Sequence, residues 1–314
     1  MSRAGRPLAR STITRAEALD ALKRSGYLLE TRLESVLRAA EFRVEANNLI
    51  PDPTATRREL DLWAGWAKCF TFGSDGNGML SMELVIECVN PPQPIAFITK
   101  ERSEPFFERS DRWDALKLIG NPVEVGSDPY HPWTWLSSKL NVSRYHHYNA
   151  KRLSTQYCSF QKKGGVAEWM ALHRDDDHRT FEKLCWATDY YIKDSINPTM
   201  VPTADWSLSL IYPVLVVQGE LFDVRPLTRS ARIAASQHIQ YCCSHETDGD
   251  ESVYQIDVVT EKYFPAFLGT LFREMRLMHK RLAKSYDELT AFRQLRADNH
   301  ARYERSLIAK AKHS

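Results

Sequence analysis

An acid stands inside a strongly apolar strand. Residues Met82 to Val89 alternate and run apolar in the manner of a strand, and Glu87 directly follows Leu84-Val85-Ile86. A carboxylate in such a strand is costly to bury without a compensating partner, so the fold must bring a cation to Glu87. An arginine such as Arg57 or Arg58 would suffice as an ion pair; a divalent metal is the other solution. Pro91-Pro92-Gln93-Pro94 then closes a turn into a further strand, Ile95 to Thr99.

The residues before this strand are equally legible. Ser11 or Thr12 can cap a helix that runs through Leu22, and a second helix begins after Gly26. On it Leu29, Leu33, Val36, Leu37 and Ala40 form one apolar face, with Glu30 and Glu34 one turn apart beside it. A short strand, Phe42 to Ala46, is followed by a turn-rich stretch around Pro51-Asp52-Pro53 and a strand from about Glu59 to Ala67. Gly73 to Gly78 reads as a hairpin loop. The sum is a helix followed by three strands, an αβββ unit within residues 16–100.

Residues 101–150 form an irregular insertion, where prolines, histidines and Trp113, Trp133 and Trp135 interrupt any period. Order returns over 151–261. A helix from His178 to Ile192 carries the stripe Phe181, Leu184, Cys185, Thr188, Tyr191 and Ile192. Strands follow at Ser209 to Val217, Leu221 to Val224, Ile239 to Cys243 and Tyr254 to Val259, the first two joined by the tight turn Gln218-Gly219. A long basic helix occupies 262–314, with Leu268, Met275, Leu282 and Leu289 alternating with Leu271, Met278, Ser285 and Phe292 at heptad spacing. If its second half projects, Leu282, Leu289 and Phe292 favour a homodimer or a protein partner; otherwise the seam folds back on its own domain.

Composition narrows the class. A chain of 314 residues, 43% of them hydrophobic, can bury a full core, and no stretch has the length of apolar residues a membrane span needs. With no secretory signal after the N-terminal arginines, a cytoplasmic protein is expected. Six cysteines form no CxxC pair, so neither disulfides nor structural zinc is expected. The net charge of +2 conceals basic ends: residues 1–15 carry four arginines and no acid, and the C-terminal helix is rich in Lys and Arg, which leaves the middle acidic. Basic ends suit phosphate contacts, and an acidic centre suits a bound cation.

Three carboxylates stand out when the αβββ unit is taken as one object: Glu30 on its helix, Asp61 in Arg58-Glu59-Leu60-Asp61-Leu62-Trp63-Ala64, and Glu87 in Ile86-Glu87-Cys88-Val89-Asn90. In this order the unit resembles the PD-(D/E)XK nuclease superfamily, whose members look like a helix, a strand, an acidic strand and a strand bearing (D/E)-x-K. The resemblance covers roughly residues 26–100. It implies a restriction-endonuclease-like core with a central mixed sheet flanked by helices, to which the long C-terminal helix is added. It further implies that Asp61 and Glu87 bind Mg²⁺ or Mn²⁺, that the Cys88 carbonyl joins them, and that Glu30 assists through water. The superfamily lysine, which positions the attacking water, falls on Val89. Lys100 on the next strand is the nearest replacement, but simple hairpin pairing would align Glu87 with Phe97 and put Lys100 on the opposite face.

Two functions follow from the resemblance. One is a metal-dependent nuclease cleaving phosphodiester bonds, with DNA the expected substrate; the other is a nuclease-fold protein without catalysis that binds nucleic acid or serves assembly. A scaffold associating through the heptad helix is a third. Other motifs offer less. His173 to His178 reads as a solvated loop with Asp177 as helix cap, His146-His147 as surface, and Asp257 as a structural acid; no nucleotide-binding loop or nucleophile motif is present.

Overall fold

The computed structural model describes residues 12–51, 57–72, 76–102, 117–120, 140–141, 144–162, 168–172, 175–196, 206–247 and 250–284. Helices α1 (Arg15–Arg24) and α2 (Tyr27–Ala39) precede strands β1 (Arg43–Pro51), β2 (Arg57–Phe72), β3 (Gly76–Val89), β4 (Ile95–Glu101) and β5 (Lys117–Gly120). The single turn α3 (His146–Asn149) leads to β6 (Arg152–Lys162), β7 (Trp169–Leu172) and the long helix α4 (Asp175–Ile196). Strands β8 (Trp206–Val217), β9 (Leu221–Pro226), β10 (Ala231–Ser236), β11 (His238–Thr247) and β12 (Asp250–Thr260) complete the sheet, and α5 (Phe264–Lys284) follows a short turn at Glu261–Tyr263.

The architecture is mixed α/β around one mixed sheet. Its strands run in the order β1-β2-β3-β8-β12-β11-β6-β4-β9-β10, with β5 on β8 and β7 on β6. β3 is antiparallel to β2 from Leu62↔Ile86 to Phe72↔Gly76 and parallel to β8 from Gly78↔Trp206 to Val89↔Val217. A strand paired on both edges and covered on both faces needs the apolar run that Leu84-Val85-Ile86 supplies.

Alternate residues of the central strands feed two cores. Leu84, Ile86, Tyr212 and Val214 bury against Leu29, Leu33 and Leu37 of α2 and against α5; Val85, Ile211, Leu215 and Ile256 bury against Phe181, Leu184 and Cys185 of α4. α2 and α5 therefore cover one face of the sheet and α4 the other. α2 starts at Gly26, whose φ of 84° suits glycine, and a Cβ there would lie 3.7 Å from the Cys88 carbonyl oxygen, which ties the helix start to the end of β3.

Several expectations change. β4 does not form a hairpin with β3, because β2 and β8 occupy both edges of β3; it pairs instead with β6 and β9, so Lys100 lies far across the sheet from Glu87. Gln218-Gly219 does join β8 to β9, but β9 pairs with β4 and β10 rather than with β8. The first helix is capped at Thr14, where Thr14 and Glu17 form a reciprocal capping box, rather than at Ser11 or Thr12. α4 begins at Asp175, which puts Asp177 inside the helix instead of at its cap. No described helix is long and apolar enough to cross a membrane.

The described part of the heptad seam packs on the chain's own core, and it does so beyond residue 280. Leu268, Leu271, Met275, Met278 and Leu282 are all buried in the chain's own core. Leu282 is therefore not available to a second copy; Leu289, Phe292 and the rest of 285–314 lie outside the described residues, as do Arg3, Arg6 and Arg10. Leu271→Ala should lower stability by roughly 2–5 kcal/mol, the cost of a cavity in a packed core, and leave the molar mass in light scattering unchanged. A change of mass with no loss of stability would mean that the seam works between chains.

Candidate functional site

The side-chain alternation of β2 breaks at Asp61. Leu60 buries on the α4 face, whereas Leu62 and Ala64, of the same parity, bury on the α2 face. β1 changes face at the same level, with Val44 on the α2 side and Ile50 on the α4 side. Between Ala46↔Leu62 and Asn48↔Leu60 the ladder skips Asn47, which has φ of 56°, and Asp61. This irregularity frees the Asp61 side chain to complete the β2–β3 ladder where its regular pairing stops: Asp61 Oδ2 accepts from the Cys88 amide at 2.7 Å, and the Asp61 amide donates to Glu87 Oε1 at 3.4 Å.

The two carboxylates converge on Lys183, a residue of α4. Phe181, Leu184, Cys185 and Thr188 seat α4 on the sheet, and this places Lys183 over the ends of β2 and β3. Its ammonium is 3.6 Å from Asp61 Oδ1, in direct ion-pair contact with Glu87 Oε2, and donates to the Glu59 carbonyl at 2.8 Å. Val89, two residues after Glu87, packs against the apolar core beneath α4. The signal that could have pointed to Lys183 is its place beside the buried stripe of α4, a cation on a helix face turned toward strands that carry buried acids.

The electrostatics fit a site short of positive charge. Burial, and then the neighbouring Asp61 charge, pushes the Glu87 carboxyl up to about 8, with Lys183 pulling against both. Burial also raises Asp61, opposed by Lys183 and the Cys88 amide. Glu30 is raised by burial and then by Asp61 and Glu59, so it belongs to the same electrostatic cluster, although it forms no hydrogen bond or ion pair with Asp61, Glu87 or Lys183 among the described contacts. Lys183 loses by burial but is raised by Glu87 and Asp61. Of the expected residues, then, Asp61 and Glu87 meet directly, Glu30 stands nearby, and Cys88 offers its amide to Asp61. Glu83, on the same face of β3 as Glu87, is held by the neutral donors Ser209 and Trp63 instead.

A second polar centre lies on the opposite face of the sheet. His146 and His147 are not at the surface: His147 is 1% exposed, and both rings approach Asp257 Oδ2, at 3.1 Å from His146 Nε2 and 2.5 Å from His147 Nε2. His238 Nε2 meets Asp257 Oδ1 at 2.8 Å, and Glu274 receives the His146 amide at 2.6 Å and faces its Nδ1 at 2.7 Å. Burial lowers an imidazole pKa, yet the Asp257 and Glu274 carboxylates push His146 up to about 10; in His147 burial prevails and the value falls. Asp257 is held well below the usual carboxylate range, against burial, by His147 and His146. The histidines were expected at the surface because the segment around them lacks a period. The residues that bury them, Asp257 and Glu274, are 110 or more positions away.

Comparison of the chain with protein-family models, curated proteins and solved structures finds no match. The geometry therefore carries the functional reading.

Lys183→Met should destabilise the metal-free protein by roughly 3 kcal/mol, because it strips the cation from a buried carboxylate pair. Millimolar Mg²⁺ or Mn²⁺ should then raise its melting temperature more than it raises that of the unaltered chain. Equal shifts in both would show that the cation and Lys183 do not share a site.

Proposed function

We propose that the chain is a metal-dependent nuclease with a restriction-endonuclease-like core, acting on phosphodiester bonds in DNA. The observation that carries this reading is Lys183, which reaches the two strand acids from α4 and so supplies the cation whose usual motif position is Val89. The order α2, β1, β2 with Asp61, β3 with Glu87 follows the pattern that the sequence resembles. Both acids lie on neighbouring strands, as that pattern requires.

The donor set fits a hard divalent cation. Carboxylate oxygens are its preferred ligands, and the Lys183 ammonium already marks a cation position reached by Asp61 and Glu87. Asp61 and Glu87 would hold Mg²⁺ or Mn²⁺, which supplies positive charge against the charge that builds on the phosphate. Lys183, leaving Glu87, is placed to hold the attacking water and a phosphate oxygen. The water oxygen bonds to phosphorus as the opposite P–O bond breaks; the water proton passes to solvent and the departing oxygen takes one up. Glu30 orients water at the edge of the cluster. Burial lowers the local dielectric around the two acids, which strengthens their attraction for a cation.

The alternative, a nuclease-fold protein that binds nucleic acid without cutting it, is favoured by the ion pair between Lys183 and Glu87, which engages the cation that reaches both acids. Supercoiled and linear DNA and single-stranded oligonucleotides separate the two. The proposal expects metal-dependent cleavage that falls by a factor on the order of 10² or more in Asp61→Asn, Glu87→Gln and Lys183→Met. Cleavage undiminished in Asp61→Asn would remove the site assignment. Retained binding with no cleavage in either metal would establish the alternative.

A further inference from the structure

The centre around Asp257 has features that a buried ion pair does not require. One carboxylate is balanced by one cation, yet here the rings of His146 and His147 point their Nε2 atoms at the same oxygen, and His238 takes the other oxygen. The ligating atoms of His146, His147 and Asp257 all lie within 4.8 Å of one another. Two imidazole nitrogens and one carboxylate oxygen at this spacing form the donor set of a borderline transition-metal ion rather than of Mg²⁺, which prefers oxygen alone.

The surroundings hold these donors in place from three elements. Glu274 of α5 faces His146 Nδ1 at 2.7 Å, the carboxylate–histidine contact that fixes a metal-bound ring and its tautomer. His238 and Gln240 of β11 restrain Asp257 Oδ1, at 2.8 and 3.5 Å. Gln240 and Gln255 donate to the backbone carbonyls of His146 and His147, at 3.1 and 2.7 Å, and Gln255 also donates to Gln240 at 2.6 Å. The short α3 turn is thereby pinned to the sheet with both rings turned inward. His146, His238 and Gln240 also line a cleft of about 400 Å³ beside the centre.

We propose that His146, His147 and Asp257 bind one transition-metal ion of the zinc class, with Glu274 and His238 as positioning residues and a further coordination place open toward the cleft. This centre lies on the α5 face of the sheet and is independent of Asp61, Glu87 and Lys183. The expectation of no structural zinc rested on the cysteines, and these histidines come from a segment without readable periodicity. The charge of the ion replaces the protons that the carboxylate–imidazole cluster otherwise holds.

The test uses the full-length chain stripped with chelator and titrated with Zn²⁺ or Co²⁺. The expected result is one ion per chain, with visible Co²⁺ absorption, and affinity weakened at least 100-fold in His147→Asn and Asp257→Asn. Glu274→Gln should weaken it roughly 10- to 100-fold. Asp61→Asn should bind as the unaltered chain does. X-ray absorption of the unaltered Zn²⁺ form guards against variants that fail to fold: it should show imidazole scattering with Zn–N at about 2.0 Å. No stoichiometric binding, an all-oxygen shell, or binding unchanged in folded His147→Asn would overturn the proposal.

Discussion

A carboxylate buried in the middle of a sheet requires a cation, and the arrangement of this fold around Glu87 answers that requirement. Glu87 is 3% exposed on a strand with neighbours on both edges, so the compensating charge has to arrive from above the sheet. α4 brings it. The helix is seated by Phe181 and Leu184, and this seating sets Lys183 within reach of Glu87, Asp61 and the Glu59 carbonyl at once. Removing either partner of such a pair leaves an uncompensated charge in the interior, whereas adding a second cation is electrostatically welcome.

The pairing of β3 with β8 gives this constraint its geometry. Because β8 runs parallel to β3 along twelve paired residues, the chain must cross over the sheet between them, and α4 lies on that crossing. The face reversal at Asn47 and Asp61 is the second element. It ends the regular β2–β3 ladder one residue before Glu87 and lets the Asp61 carboxylate take the place of a backbone acceptor for Cys88. Both acids are fixed by backbone amides, Asp61 by that of Cys88 and Glu87 by that of Asp61.

Much of this was legible from local pattern. The stripe Leu29, Leu33, Leu37 located α2, the run Leu84 to Ile86 located β3, and the buried residues of α4 match the expected stripe at Phe181, Leu184, Cys185 and Thr188. Glu87 could be named because an acid in an apolar strand conflicts with its surroundings, and Asp61 because of the pattern that the unit resembles. Long-range pairing was not legible. Nothing near Pro91 to Pro94 signals that both edges of β3 are already taken, so β4 was assigned to the wrong neighbour. Lys183 escaped for the same reason: its partners are more than 90 positions away. His146 and His147 were misjudged because their burial depends on Asp257 and Glu274, contributed by elements with no local relation to them.

The central proposal is that Asp61 and Glu87 share one hard cation, at a position that the Lys183 ammonium also reaches. A crystal structure of the full chain in millimolar Mn²⁺, with anomalous scattering to locate the ion, tests it most directly. The account predicts a peak bound by oxygens of both carboxylates at about 2.1 Å, with the Lys183 ammonium withdrawn from Glu87. An intact Lys183–Glu87 pair with no anomalous peak between Asp61 and Glu87 would contradict it.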